Sequence, residues 1–332
     1  MSGVVAVLGR VGLWGRGVVV AMPYLWLLLF FLVPFLIVFG ISFSESIIAQ
    51  PPYAPLLGWL RDEEAGTTKL QILLNLTNYL RLGGDDLYIL AYLNSVKIAL
   101  VTTLLCLAIG YPMAYAIARA APARRGPLMM LVILPFWTSF LIRIYAWIGI
   151  LKAKGSIDNL AHQIASGINY CIEQINAIIG GFYSFSLLNM DWQIEILYTD
   201  WAVYIGMTYC YLPFMVLPLY STLEKMDPTL LEAAADLGCR PLKAFLSVTL
   251  PLSIPGIVAG SLLVFIPAVG EFVTPELLGG PDTLMIGRVL WNEFFANRDW
   301  PVASAVAIAL LLVLVVPIMI FQYVQGREAE RR

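Results

Sequence analysis

Six stretches of the chain run for twenty or more residues with almost no charge. Residues 17–44, 98–118, 201–223, 244–270 and 300–326 contain no Asp, Glu, Lys or Arg, and residues 128–151 are interrupted only by Arg143. A helix needs roughly 20 apolar residues to cross a hydrocarbon core about 30 Å thick. The pattern predicts six transmembrane helices near 20–43, 90–118, 128–151, 200–222, 252–273 and 302–323, with polar segments between them. The first run far exceeds the roughly 7–15 apolar residues of a signal core, so it is expected to be a retained anchor. Pro34, Pro112, Pro135, Pro213, Pro218 and Pro267 fall within the spans. Each frees a backbone carbonyl that must find another partner, a feature tolerated where helices line a cavity.

Composition agrees with a membrane solvent. Of 332 residues, 60% are hydrophobic and 13% charged, against roughly 45–50% and about 25% in soluble globular chains. The net charge of −2 and the lack of a basic face exclude nucleic acid as a partner. Orientation follows from the basic residues. With both termini inside, the cytoplasmic segments hold Arg10, Arg16, Arg119, Arg124, Arg125, Lys225, Arg240, Lys243, Arg327, Arg331 and Arg332. The longer outer segments hold only Arg61, Lys69, Arg81, Lys152, Lys154, Arg288 and Arg298. The positive-inside rule then places the N-terminal segment 1–19 and the tail 324–332 in the cytoplasm. Tyr24, Trp26, Trp201, Trp300 and Tyr323 sit at span ends, where interfacial anchors belong. Lys97 lies near enough to the end of the second span to snorkel to the interface.

Several chemistries are missing. Cys106, Cys171, Cys210 and Cys239 form no CxxC pair, so neither a zinc site nor a disulfide framework is indicated. His162, the sole histidine, falls in an outer loop. No phosphate-binding G-x-x-x-x-G-K-[ST] run occurs, so any ATP hydrolysis belongs to another chain. A membrane enzyme would need clustered catalytic groups at one face, and the sequence offers none.

The connection between the fourth and fifth spans, 224–251, reads as two short helices. Asp227 is an N-cap candidate with Pro228 at the first helical position. Leu230, Leu231, Ala234 and Leu237 recur at helical spacing, and Gly238 closes the helix with a positive-φ turn. The second helix is expected to start after Arg240-Pro241 and to end before Leu250-Pro251. Within this loop, Glu232-Ala233-Ala234, Gly238, Val248, Leu250 and Pro251 match a signature of EAA, three residues, Gly, nine residues, Ile, any residue, Leu-Pro. Only Val248 departs from it. The chain thereby resembles the permeases of binding-protein-dependent ABC importers. The resemblance implies a type I importer permease fold and assigns ATPase coupling to Glu232, Ala233, Ala234, Gly238, Leu250 and Pro251.

The similarity extends through IGYPMAYAIARA, LVILPFWTSFLIRIYAWIGILK and VFIPAVGEFVTPELLGG, which look like polyamine permeases, most nearly of the putrescine type. It weakens over 160–197, where the second outer loop is long, and over residues 1–17. The resemblance implies a second permease subunit as heterodimer partner, an ATPase dimer that binds ATP and Mg, and a periplasmic polyamine-binding protein, all in a bacterial inner membrane and with surrounding lipid. It implies no cofactor in this chain. The substrate path is expected to involve Glu271, Trp137, Tyr145, Tyr211 and Arg143. Phe136, Trp147 and Tyr209 are further aromatics able to meet an ammonium group by cation–π contact. Glu271, at the outer end of the fifth span, is read either as the ion-pair partner of Arg143 or as a direct contact for substrate. The same importer class for another small solute, such as an amino acid, stays open, and a channel would leave the coupling loop without a purpose.

Overall fold

A computed structural model describes residues 16–61, 68–179, 186, 187, 189 and 193–330. The expected cytoplasmic segment 1–19 and part of the loop 160–197 therefore lie mostly or partly outside the described residues. The described chain divides into two compact units, residues 1–86 with 290–312, and residues 87–289 with 313–332.

The first unit opens with α1 (Arg16–Leu27), a π-helical turn (Leu28–Leu32) and α2 (Val33–Ile41), which together make one apolar helix. None of Val20–Ile41 is buried within the chain. Phe31, Phe35, Phe39 and Phe43, four residues apart, align in a ring ladder with centroids 5.1–6.2 Å apart, as same-face helical neighbours should. At its outer end the Asn78 side-chain amide donates to Ser42 O and Ser44 O, both at 2.9 Å, fixing α3 (Thr77–Gly84) there. Strands β1 (Leu57–Arg61) and β2 (Thr68–Ile72) form an antiparallel hairpin with Leu57 opposite Ile72. It is the single strand pair among the described residues.

The second unit carries α4 (Asp86–Arg119), α5 (Pro122–Ile133), α6 (Phe140–Leu151), α7 (Ser156–Ile179), α8 (Asp200–Glu224), α9 (Thr229–Asp236), α10 (Pro241–Ala244), α11 (Leu250–Val269), α12 (Val273–Leu278) and α13 (Ile286–Trp291). A last helix, α14 (Trp300–Glu330), begins in the first unit and ends in the second. Helices α8 and α11 pack closely because α11 presents glycine. A Cβ on Gly256 would lie 2.6 Å from Thr222 Oγ1, and one on Gly260 would lie 2.8 Å from Met215 Sδ and 3.1 Å from Met215 O. This is the small-xxx-small packing by which helices approach where water supplies no hydrophobic drive.

Among the described residues five helices are long and apolar enough to cross a membrane, and counting one bent pair as a span makes six. The third span differs from the single helix expected over 128–151. Helix α5 passes into a 3-10 turn (Leu134–Trp137), and the chain bends by 90° before α6. Pro135 has no N–H to continue the ladder. Thr138 then turns extended, with its N–H and its hydroxyl both donating to the Pro135 carbonyl, at 3.3 and 2.8 Å. Three further segments depart from expectation. The second outer loop contains the long helix α7, with Leu160 and Ile164 on one exposed stripe. Residues beyond 269 are not a continuation of the fifth span. They form α12 and α13, and Thr274 and Leu278 of α12, Ile286 of α13 and Met285 just before it are fully buried. Finally, the second coupling helix does not end before Leu250-Pro251. α10, a π-helical turn (Phe245–Thr249) and α11 form one helix, Pro241–Val269. Leu250 N–H reaches back to Phe245 O, and this wider turn carries the helix past Pro251.

Candidate functional site

The connection 224–251 carries one short helix, α9, with defined caps at both ends. The Asp227 carboxylate accepts from Thr229 N–H at 2.9 Å, and that bond holds the Asp227 carboxyl below its ordinary value. Leu230 N–H donates to Asp227 O at 3.3 Å, opening α9 as the N-cap pattern predicts. At the other end Gly238 takes φ +74°. Its N–H bonds Ala235 O at 2.8 Å, and Cys239 N–H bonds Ala234 O at 3.0 Å. This pair is the Schellman closure, which requires a left-handed residue where glycine stands.

Glu232 and Ala233 are exposed, Ala234 is half-buried, and Leu237 is 88% exposed. The helix thus exposes a short acidic and small-residue surface with one protruding leucine. Leu250 and Pro251 are not on this surface. They start α11, so the signature joins an exposed helix to the root of a span. Nearby, Arg125 pairs with Glu224 at 3.5 Å, and Tyr220 Oη donates to the same carboxylate at 2.7 Å. These contacts tie the start of α5 to the end of α8.

Within the spans, the expected Arg143–Glu271 ion pair is absent. Both oxygens of Glu271 are engaged otherwise. Oε1 accepts from Val273 N–H at 3.1 Å and Thr274 N–H at 3.4 Å, and Oε2 accepts from the Tyr211 hydroxyl. Glu271 thereby caps α12 and fastens it to α8. Arg288 Nε pairs with Glu276 Oε2 at 2.6 Å, holding α13 to α12.

Arg143 lies in the first turn of α6, 8% exposed. Its guanidinium carbon sits 5.4 Å from the Phe136 ring centroid and 5.6 Å from that of Phe140. Nε and Nη1 are buried without a hydrogen-bond partner. Each such orphaned donor costs roughly 1–3 kcal/mol, while a desolvated cation–π contact contributes about 2 kcal/mol. Arg143 is thus a charge seated against two ring faces, and charges embedded at membrane depth mark working sites or pairs.

A line of rings connects the two charges. Phe136 meets Phe214 edge-on at 5.1 Å, and Phe214 lies 6.2 Å from Tyr211. Phe136, Phe214, Tyr211 and Glu271 thus join the broken third span, the fourth span and the end of the fifth. Phe214 was not singled out in the sequence because its edge-on partner, Phe136, comes from another span. Trp137 and Tyr145 are not part of this line. They are 71% and 59% exposed on the chain surface. Trp147 and Tyr209, edge-on at 5.5 Å, border a separate groove of about 460 Å³ shared with Leu105, Ile109 and Leu212. Lys97 pairs with Asp200 at 3.7 Å rather than standing alone.

The sequence matches the family described as binding-protein-dependent transport system inner membrane component over residues 11–329. The spermidine/putrescine transport system permease protein PotB of Haemophilus influenzae is 38% identical over 315 residues, 95% of each chain. The protein of the same name from Escherichia coli is 38% identical over 296 residues, 89% of this chain and 92% of that one. In fold, the chain is similar to a crystal structure of a bacterial ABC transporter that imports the acidic polysaccharide alginate. There the TM-score is 0.63 at 15% identity, covering 98% of each chain. This chain belongs to the binding-protein-dependent transport family of inner-membrane components, as a permease subunit of the ABC importer class.

Proposed function

We propose that this chain is the membrane permease of an ATP-driven importer for polyamines of the spermidine and putrescine kind. The observation that carries the reading is the 38% identity, spread over 95% of both chains, to a permease named for those two solutes. The chain supplies half of the path, and a second permease subunit supplies the other half. ATP and Mg bind to an ATPase dimer that receives α9, and a periplasmic binding protein delivers the polyamine. Both termini face the cytoplasm.

The site chemistry suits this cargo. A polyamine is a flexible chain with an ammonium or secondary ammonium group every few carbons. Glu271 offers a carboxylate whose orientation is set by Tyr211 and the α12 backbone. Phe136 and Phe214 offer ring faces for methylenes and cations. Trp137 and Tyr145, on the open face of α6 and the turn before it, extend the aromatic surface toward the second permease. Arg143 repels a cation at close range and so bounds the site on one side.

The test is ATP hydrolysis by the reconstituted complex. Binding protein loaded with spermidine or putrescine is expected to stimulate it well above the level seen with empty protein. Stimulation by an amino-acid-loaded binding protein instead would reassign the cargo while leaving the importer class intact.

A further inference from the structure

The second span meets the root of the fifth at one aromatic ring. Phe245 opens the π-helical turn Phe245–Thr249. Its ring stands edge-on to Tyr111 at 5.7 Å and 90°, and to Tyr115 at 5.9 Å and 89°, both on α4. Tyr115 is steadied in turn by the Arg119 guanidinium, 5.5 Å from its ring centroid. Beyond the π turn, the Tyr111 hydroxyl lies 2.9 Å from Ser253 Oγ. Ser253 Oγ also sits 2.8 Å from the Leu250 carbonyl and donates to it, so Tyr111 is the donor to Ser253. Tyr111 therefore touches the first residue of the turn and a residue past its end, bracketing it from the second span.

The coupling helix reaches this bracket indirectly. Between α9 and the Tyr115–Phe245 contact lies a cavity of about 240 Å³, bordered by Leu231 and Ala235 of α9, by Cys239, and by Thr249. Thr249 Oγ1 is buried there without a hydrogen-bond partner. A gap of this size transmits little force, because separated atoms forfeit their contact. The continuous route runs from α9 through the Gly238 turn into the helix that starts at Pro241, and Phe245 is the ring on that helix held by α4. A π turn is a register defect that recurs at functional points in helices, and here it lies just past the held ring.

We propose that Phe245 is a positioning residue that carries displacement of the coupling helix to the second span through its edge-on contacts with Tyr111 and Tyr115. The proposal rests on reading α9 as the ATPase-docking element. In consequence the second and fifth spans move together at their cytoplasmic ends, and α9 has room to shift against them as the cavity narrows.

Cys239, half-buried at the cavity edge, serves as a native reporter. In the full complex, with Cys171→Ser removing the exposed outer thiol, N-ethylmaleimide labelling of Cys239 is measured with and without ATP and vanadate, alongside spermidine accumulated per ATP hydrolysed. Trapping is expected to change Cys239 labelling in the otherwise native chain. Phe245→Ala should keep that response yet lower accumulation per ATP by about tenfold, the scale set by losing two aromatic pairs. Phe245→Tyr, which keeps the ring, should restore it. Native accumulation per ATP in Phe245→Ala would overturn the proposal. So would loss of its labelling response, which would make the ring a support for docking alone. Should Phe245→Ala not assemble, Tyr115→Leu decides by the same yield, and an unchanged value refutes the route. A native chain whose Cys239 ignores nucleotide would instead remove the docking assignment, and this proposal with it.

Discussion

Replacing Gly238 isolates what the coupling turn contributes. The residue sits at φ +74°, yet a Cβ placed there would meet nothing within 4 Å. Steric clash is therefore not the obstacle, and backbone conformation alone sets the cost. For an L-residue the left-handed region costs roughly 1–2 kcal/mol, with Asn tolerated more easily. That range lowers the population of the native turn by a factor of about 5–30. The loss falls on the Schellman bonds to Ala234 and Ala235, hence on the direction in which Glu232, Ala233 and Leu237 face. The spans do not share this cost, so the chain should insert normally. Gly238→Val, β-branched and least able to adopt positive φ, should copurify much less ATPase and transport correspondingly less per inserted chain. Gly238→Ala should be intermediate and Gly238→Asn nearest to native. The assay is ATPase recovered with the tagged permease from solubilised membranes, normalised to permease. Equal recovery for Val and Asn, or native recovery for Val, would refute the reasoning.

Other outcomes follow from the same geometry. Glu271→Gln should leave abundance near native, because the amide oxygen can still accept from the α12 N–H groups and no Arg143 charge is left unpaired. It should weaken uptake by about one to two orders of magnitude, given roughly 1.5–3 kcal/mol for a hydrogen bond to a charged group. Uptake per assembled complex reads this directly, and reduced abundance at native uptake would restore the ion-pair view. Gly260→Val should lower the amount of folded permease, since a side chain would press on the Met215 backbone and overpacking costs about 1–3 kcal/mol. Monodisperse protein recovered in detergent measures it. A reporter fused after Arg332 should be active only as a cytoplasmic fusion, and periplasmic activity would invert the topology.

The membrane organisation was legible because a charge-free run reports its solvent directly. The first helix of the 224–251 connection was equally plain, since Asp227, Pro228 and Gly238 are local signals whose meaning does not depend on distant residues, whereas the run of its second helix past Pro251 was not. Bends were harder to read. Pro112, Pro213 and Pro218 lie inside continuous helices, whereas Pro135 begins a 90° break. At Pro218 the helix continues, and the Thr222 hydroxyl donates to the Pro218 carbonyl at 2.9 Å from within it. At Pro135 the corresponding hydroxyl belongs to Thr138, which has already turned extended. The residue types are alike, and the difference is in the backbone that follows, helical at Thr222 and extended at Thr138.

Helix α7 was readable in principle. Ile157, Leu160, Ile164, Ile168 and Ile175 recur at helical spacing, but they sit in a segment taken as a loop between charged ends. Glu271 stood out as a lone acid after a glycine. Its grip by Tyr211 did not, because that contact joins residues 60 positions apart and forms only once α8 and α11 pack on Gly256 and Gly260. Arg143 was conspicuous for the same reason as Glu271, and pairing the two was the natural inference from charge alone. The aromatic rings and the α12 backbone compete for them more effectively.

The central claim, that this chain carries polyamines as part of an ATP-driven importer, meets its most direct test in transport itself. Proteoliposomes containing the permease with its second subunit, ATPase and binding protein should accumulate radiolabelled spermidine or putrescine against a gradient only when ATP is supplied on the side of the coupling loop. Excess unlabelled polyamine should abolish the signal and excess amino acid should not. Accumulation that ignores ATP, or that is displaced by an amino acid and not by polyamine, would contradict the account.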